Sequence, residues 1–486
     1  MINYETHEPV IFERSEQGSN AIDFFDQATN SLPDNLNNFL RKPEDKLLLP
    51  ELSEPDAVRH YTRLSRKNIS IDTASYPLGS CTMKYNPKLH EWAARLPGLA
   101  SLHPLMPKDY LQPALKIYWE LQNYLSEIGG FYRTSLAPSA GAQGEFAGLA
   151  VISKALKQRN EKRTKILVPK SAHGTNPATA AFFSYQVIPL DVSPGGRILV
   201  GQVAELMNQD CAGIMITNPN TLGIFETDIQ EVAHIVHKHG GYVYGDGANL
   251  NAMMGITRPG DWGVDVMHFN LHKTMTTPHG GGGPGCGALG ACEELARFLP
   301  VPYVEKTNNK YNIIHNTHDS IGRIRSFLGH FGMIIRAWVY IKSLGSCGLR
   351  QVSELAVLNS NYLRAKLSPY YHMPYATDSL HEIVISDARQ NQFNITTLDI
   401  AKRLIDYGVH PPTIYFPLVV KGAMMIEPTE TESFYDLEKL AQAFIQVAHE
   451  AEHNPEILRQ APLSTDLSRL DEALAARHPV LVWQPH

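Results

Sequence analysis

The sequence predicts an α/β protein: a large domain on a mixed, mostly parallel sheet, followed by a smaller α+β C-terminal domain. Short apolar runs at 165–168, 187–190, 213–216, 242–244 and 266–269 alternate with amphipathic stretches such as 201–207 and 229–237. A strand, helix, strand rhythm of that kind makes βαβ units, and those build parallel sheets. The chain has 486 residues, 43% of them hydrophobic and 19% charged, enough for a large core and for two or three domains. After about Ser326 the rhythm changes, and a second, mixed pattern begins.

Taken in order, residues 1–110 lack a strand and helix rhythm and carry proline and polar turns, as in Leu49-Pro50-Glu51 and Ser75-Tyr76-Pro77; an N-terminal extended arm is expected there. From about residue 112, Ala114, Ile117, Leu121 and Leu125 recur at helical spacing and open a large domain assigned to 111–325. The smaller domain, 326–486, contains a helical pattern at 354–367, a strand-like 381–385 and a final helix around 436–448. No internal repeat or low-complexity tract interrupts this order.

Composition removes several function classes. Lysine and arginine number 43 against 49 acidic residues, a net charge of −6 with no basic footprint for nucleic acid. No apolar stretch is long enough to span a bilayer, so a soluble cytoplasmic protein is expected. The five cysteines, Cys81, Cys211, Cys286, Cys292 and Cys347, are scattered and form no Cys-x-x-Cys pair, which suggests reduced thiols. His234, His237 and His239 have metal-like spacing but end an amphipathic helix, where cationic side chains favour the negative end of the dipole; no metal is expected.

The chemistry is concentrated in Asn270-Leu271-His272-Lys273-Thr274, followed by Pro278-His279 and the run Gly280 to Gly283, Pro284, Gly285. A lysine before a long glycine tract is placed to condense with a carbonyl cofactor, because glycine allows backbone approaches that other residues forbid. Lys273 is therefore read as the pyridoxal phosphate lysine. An ordinary loop with a glycine hinge explains the same residues, and the balance is shifted by Asp246, at the end of the buried run Gly241 to Gly247. Pyridoxal phosphate works as an electron sink when its ring nitrogen stays protonated, and a buried carboxylate keeps it so. In open α/β sheets ligands collect beyond the strand ends, which lets Asp246 and Lys273 face one crevice. For the phosphate, Pro138-Ser139-Ala140-Gly141-Ala142-Gln143-Gly144 puts small residues before a helical run, and Ser139, Ala140, Gly141 and Ala142 are the candidates. A plain N-cap by Ser139 remains the alternative. Asn220, in Thr217-Asn218-Pro219-Asn220-Thr221, is a candidate for the ring oxygen, although an Asn-Pro turn explains it as well. Gly285-Cys286-Gly287-Ala288-Leu289-Gly290 satisfies a dinucleotide pattern but follows glycines where that fold has a strand.

Three segments, Pro77-Leu78-Gly79-Ser80-Cys81-Thr82-Met83-Lys84-Tyr85-Asn86-Pro87, Asp246-Gly247-Ala248-Asn249-Leu250-Asn251-Ala252 and 270–285, together resemble the glycine cleavage system P-protein (glycine decarboxylase) family. Within it the chain is most similar to subunit 2 of the two-subunit form, the counterpart of the C-terminal half of the single-chain enzyme. The resemblance runs over nearly the whole chain. It implies fold type I of the pyridoxal phosphate-dependent transferases and decarboxylation of glycine, with the aminomethyl group passing to the lipoyl arm of the H-protein. The class this implies is glycine dehydrogenase (aminomethyl-transferring), an oxidoreductase. It also implies an α2β2 assembly with subunit 1.

By the same resemblance His173 stacks on the cofactor ring, and Asn270 sits where many such enzymes put a phosphate ligand, with His272 and Thr274 also lining the cofactor. Ser80, Cys81, Thr82 and Thr413 are candidates for the substrate side, along a channel walled by 80–86 and His410-Pro411-Pro412-Thr413. Arg323 and Arg325 are candidates for the glycine carboxylate because a guanidinium grips that shape in two places. Another fold type I enzyme, an aminotransferase or a different decarboxylase, and a scaffold subunit of a paired enzyme remain as alternatives.

Overall fold

The computed structural model describes residues 8–19, 49–276 and 285–484. Contacts divide the chain into two units, 1–69 with 462–486, and 70–461. In the first, helix α1 (Glu54–Arg66) starts at Ser53, whose hydroxyl accepts from the Asp56 N–H, and ends in basic residues that suit the dipole. Glu8 gathers Arg14, His60 and Arg63 at 2.5–2.8 Å. The Arg63 hydrogen bond holds its carboxyl down at about 2, against the opposing effect of burial.

The second unit is built on a seven-stranded sheet: β1 (Arg133–Ser135), β2 (Lys165–Pro169), β3 (Gln186–Leu190), β4 (Cys211–Thr217), β5 (Tyr242–Gly247), β6 (Val266–Asn270) and β7 (Gly287–Ala291), in the order β1-β7-β6-β5-β4-β2-β3. The pairs from β3 through β2, β4 and β5 to β6 are parallel, and β7 runs antiparallel to both its neighbours. All five apolar runs read from the sequence are strands. Side chains alternate across the pleat: Ile214, Ile216, Val243, Met267 and Phe269 enter one core, and Met215, Tyr242, Tyr244 and Val266 the other.

Helices cover both faces, as a parallel sheet requires. On the first lies α2 (Lys108–Gly129), through Leu115, Leu121 and Leu125. On the opposite face lie α3 (Gly141–Gln158), through Leu149, Ile152 and Leu156, and α4 (Thr175–Phe182), through Ala180. Helix α5 (Ile229–Lys238) returns to the first face through Val232 and Val236. A single turn, α6 (Leu271–Thr274), follows β6 directly and carries Lys273.

A hairpin of β8 (Tyr303–Thr307) and β9 (Lys310–Ile314) leads to the long α7 (Phe331–Leu367), two helices joined where Gly345 leaves helical geometry with φ of 63°. The sequence signalled only its second part, since Gly345 and Gly348 interrupt the period. A three-stranded antiparallel sheet of β10 (Ile383–Ser386), β11 (Thr413–Ile414) and β12 (Ala423–Ile426) then packs with α8 (Thr397–Asp406) and α9 (Phe434–His453) around a core of Ile385, Leu404, Met424 and Phe444.

Two local readings change. Residues 88–94, expected within the extended arm, form a helix, as do those of α1. The dinucleotide-like glycines form β7, where Gly290 lets the Phe131 ring approach so closely that a Cβ there would stand 2.5 Å from it. The glycine tract 280–284 with Pro278-His279 lies outside the described residues. Among the described residues no helix is long and apolar enough to cross a membrane.

A Cβ on Gly247 would lie 1.9 Å from the carbonyl oxygen of His268 on the paired strand. Gly247→Ala is expected to lower stability in urea unfolding by about 1 to 3 kcal/mol, as overpacking between fixed backbones does.

Candidate active site

Three parallel neighbours bring Thr217, Asp246 and Asn270 to one sheet edge, the edge where open α/β sheets collect ligands. A cavity of about 250 Å³ opens there, lined by Asp246, His268, Asn270, His272 and Lys273, by Ala140, Gly141, Ala142 and Glu145 of the α3 start, by His173 and Thr175, by Thr217 and Thr221, by Ala248 and Asn249, and by Ser80. Its floor is the Asp246 carboxylate, 6% exposed. Oδ1 accepts the Ala248 N–H at 3.0 Å and Oδ2 the Asn176 amide at 3.1 Å, and His268 Nε2 stands 3.4 Å away. Burial resists ionisation here, yet His268, Lys273 and these two donors together hold the carboxyl below its usual range. It is a charge kept in the interior.

On another wall the Lys273 ammonium donates to the carbonyl oxygen of Ser80 at 2.7 Å. Ser80 itself is left-handed, with φ of 64°. The start of α3 is the third element. Ala140 is its N-cap and supplies no side-chain cap, and Ala140, Gly141 and Ala142 line the cavity, so the positive end of the helix dipole lies against it. Gly141 is required there: a Cβ would come within 2.2 Å of Asn270 Oδ1. Ser139 is drawn aside, its N–H donating to Gln143 Oε1 at 2.7 Å. His173 stands at the rim, its Nδ1 2.8 Å from Thr175 Oγ1, and burial lowers its proton affinity.

Comparison with known proteins agrees with this geometry. Residues 109–312 match the family model described as glycine cleavage system P-protein, and 352–463 the one described as glycine dehydrogenase, C-terminal domain. The chain is 51% identical over 477 residues to the probable glycine dehydrogenase (decarboxylating) subunit 2 of Caldanaerobacter subterraneus subsp. tengcongensis, covering 98% of each chain. It is 49% identical, again over 98% of each, to the protein of the same description in Staphylococcus aureus (strain MRSA252). The chain belongs to the glycine cleavage system P-protein family. Solved structures agree in fold: an inhibitor-bound glycine decarboxylase (P-protein) has a TM-score of 0.71 at 20% identity, covering 85% of this chain and 93% of that one. Lactobacillus brevis glutamate decarboxylase reaches 0.65 at 13% identity, covering 85% and 96%.

Several residues read from the sequence stand elsewhere or are held by other groups. Asn220 is turned away: its amide donates to Gly196 O at 2.8 Å and Glu226 Oε1 at 2.7 Å, and its oxygen accepts from Leu222 and Ile224. Thr217 and Thr221 of the same loop line the cavity instead. Thr274 is buried beside Lys273, with no partner for its hydroxyl among the described residues. Its carbonyl accepts from Lys84 Nζ at 3.1 Å. His272 is fixed by Cys286, 2.8 Å from that residue's carbonyl oxygen. Arg323 and Arg325 do not line the cavity, although the buried Arg325 Nη1 lacks a partner among the described residues. Thr82 and Thr413 are engaged locally, donating to Glu427 at 2.5 Å and Gly79 O at 2.6 Å. Cys81 is a poor thiolate, since burial pushes it up to about 11. His237 pairs with Asp265 at 2.8 Å, and His239 Nδ1 lies 3.0 Å from the Ile235 carbonyl oxygen.

The sequence missed Glu145, His268 and Thr217. Glu145 follows the phosphate candidates by one helical turn, and burial next to Asp246 pushes its carboxyl up to about 7. His268 alternates inward on β6, and its Nδ1 is hydrogen-bonded with the Tyr244 hydroxyl. The period-two pattern of β6 was the available signal for His268. Removing that hydroxyl leaves a fully buried imidazole nitrogen unpartnered, so Tyr244→Phe is expected to cost about 1 to 3 kcal/mol in chemical denaturation.

Proposed function

We propose that this chain is the cofactor-bearing subunit of a glycine decarboxylase, removing carbon dioxide from glycine and passing the aminomethyl group to the lipoyl arm of the glycine cleavage H-protein. Family membership supplies the reaction, and one observation carries the assignment of the site: a lysine amine and a buried, ionised carboxylate face one small cavity at an uncapped helix start.

The residues fit pyridoxal 5'-phosphate. Lys273 is the amine for its aldehyde, Asp246 the counter-charge for its ring nitrogen, and the N–H groups from Ala140 to Ala142 with the Asn270 side chain the cradle for its phosphate. The Thr217 hydroxyl, buried and without a partner among the described residues, stands ready for a polar ligand. When bound, the cofactor supplies a sink for the electron pair left as the glycine carboxylate departs.

The chain's own contribution is position and charge. Asp246, kept ionised by His268 and the Asn176 and Ala248 donors, holds a proton at whatever base faces it. Ser80 orients the Lys273 amine by its carbonyl. His173 at the rim is placed to pack on a flat ring. His272 and Thr274 fix the Lys273 turn from either side. Ser80 lines the cavity, and the Ser80 to Thr82 loop and Thr413, which donates to Gly79 O, are the candidates for the glycine and lipoyl side. Relatives described as subunit 2 support a companion subunit 1, an α2β2 assembly is what the family resemblance adds, and a cytoplasmic setting fits the composition.

Reduction with borohydride followed by peptide mass analysis tests the lysine. The wild-type protein is expected to carry the cofactor on the peptide containing Lys273, and Lys273→Ala to carry none; an adduct retained by the variant overturns the assignment. Asp246→Asn is expected to lower H-protein-dependent exchange of labelled bicarbonate into glycine by about 10²-fold or more, as loss of a preorganised charge does.

A further inference from the structure

Glu382 precedes β10 and Glu427 follows β12. The antiparallel register Ile383↔Ile426, carried one residue on, sets these two carboxylates directly opposite each other. Both are almost fully buried, at 0% and 1% exposure, with His381 at 0% beside them. Side-chain donor atoms of the three lie within 4.8 Å of one another. Like charges in opposing strand positions are destabilising even at a surface, and more so in an interior. Such a pair survives when one member keeps its proton.

The carboxylates also grip one loop. Residues 77–79 run along β12, with the Gly79 N–H donating to Met425 O at 3.2 Å. Immediately beyond, Glu382 Oε2 accepts the Ser80 N–H at 3.0 Å, and Glu427 Oε1 accepts the Thr82 hydroxyl at 2.5 Å. The Ser80 carbonyl in turn holds Lys273. We propose that Glu382 and Glu427 share one proton and act as a positioning pair, fixing the Ser80 to Thr82 loop so that its carbonyl meets the Lys273 amine. This rests on the reading of Lys273 given above and adds residues that do not line the cavity.

The surroundings say which carboxylate keeps the proton. Glu382 accepts two N–H donors, from Ser80 and from the Asn249 amide at 3.2 Å, both favouring its ionised form. Among the described residues Glu427 accepts only a hydroxyl, and its Oε2 has no partner. Burial pushes both carboxyls well up, and the charge of Glu382 pushes Glu427 further. The groups acting on the pair are Lys273 and Lys84, which lower both or one of them, and the neutral Ser80, Thr82 and Asn249. His381 is held neutral by burial and by the same two lysines, and among the described residues neither of its nitrogens has a hydrogen-bond partner. A folded state that keeps a proton the unfolded chain has lost is favoured at lower pH. Its advantage therefore declines as pH rises from the ordinary carboxylate range through the raised values, and the loop contact loosens on the alkaline side.

Hydrogen exchange of the full chain reads the Ser80 amide directly, independently of any cofactor. With intrinsic exchange corrected, the peptide spanning Ser80 to Met83 is expected to be most protected at about pH 5, to lose protection by up to about tenfold per unit to about pH 8, and to level off above it. Glu427→Gln, which keeps an acceptor for Thr82 and a permanently neutral group opposite Glu382, is expected to hold protection flat over that range. Glu382→Ala is expected to lose it at every pH while the β4 peptide stays protected as an internal control. Protection in the wild-type chain that is flat across the range overturns the proposal, as does a Glu427→Gln profile that matches the wild type. One equivalent of divalent metal in the purified chain overturns it too, because a cation would then neutralise the pair. Failure here with the Lys273 adduct intact separates this inference from the assignment of the cofactor lysine.

Discussion

An ionised carboxylate in the interior is costly unless donors and an opposite charge surround it, and the site is organised around meeting that condition at Asp246. The donors come from two places, the Ala248 N–H from the turn after β5 and the Asn176 amide from α4, and the His268 ring of the neighbouring strand stands 3.4 Å away. Each demands backbone precision. Gly247 has no side chain because the β6 carbonyl occupies the position a Cβ would take. His268 is oriented in turn by Tyr244, so part of the hydrophobic core on one face of the sheet serves the charge at its edge. The lysine is the last member of the set, and its charge contributes to keeping Asp246 ionised.

The sheet and its two helix layers are shared with enzymes of other chemistries, including a glutamate decarboxylase at 13% identity. What distinguishes this chain lies in segments laid over that scaffold. The 77–87 motif reaches the site by running along β12, and it meets Lys273 across 193 positions of sequence. Lys84 of the same motif is buried in a knot with Asn251, Tyr340, Glu430 and the Thr274 carbonyl, which ties the motif to the turn carrying Lys273. Of this motif Ser80 lines the cavity, and Lys84 anchors the rest behind it.

Much of this was legible. Parallel strands buried on both faces announce themselves as short apolar runs, and the five runs became β2 to β6. Asp246, Lys273, Ala140 to Ala142 and His173 were marked by local context: the end of a strand, a turn beside glycines, small residues before a helix. The strand β7 was not, because its Gly290 leaves room for the rings of Phe131 and Phe269 and its Gly287 for the Ala140 carbonyl, and glycines carry no apolar signal. Asn220 was misplaced for a related reason. A polar loop tip next to a strand looks like a ligand until the backbone amides of Leu222 and Ile224 and the Glu226 carboxylate are seen to engage it. Glu382 and Glu427 gave no signal at all, since each is an ordinary acidic residue at the end of a short strand.

The sequence by itself determined the class of sheet, the likeness to one family, and the identity of the amine and carboxylate that face each other. Those properties reside in periodicity and in contiguous motifs, which are local. Which residues surround the pair, which cavity-lining groups lack a partner, and which two carboxylates oppose each other behind Ser80 were decided only by the tertiary structure. Strand order and register join positions hundreds of residues apart, and charge and hydrogen bonding depend on that proximity and on burial, neither of which is written in any single stretch of chain.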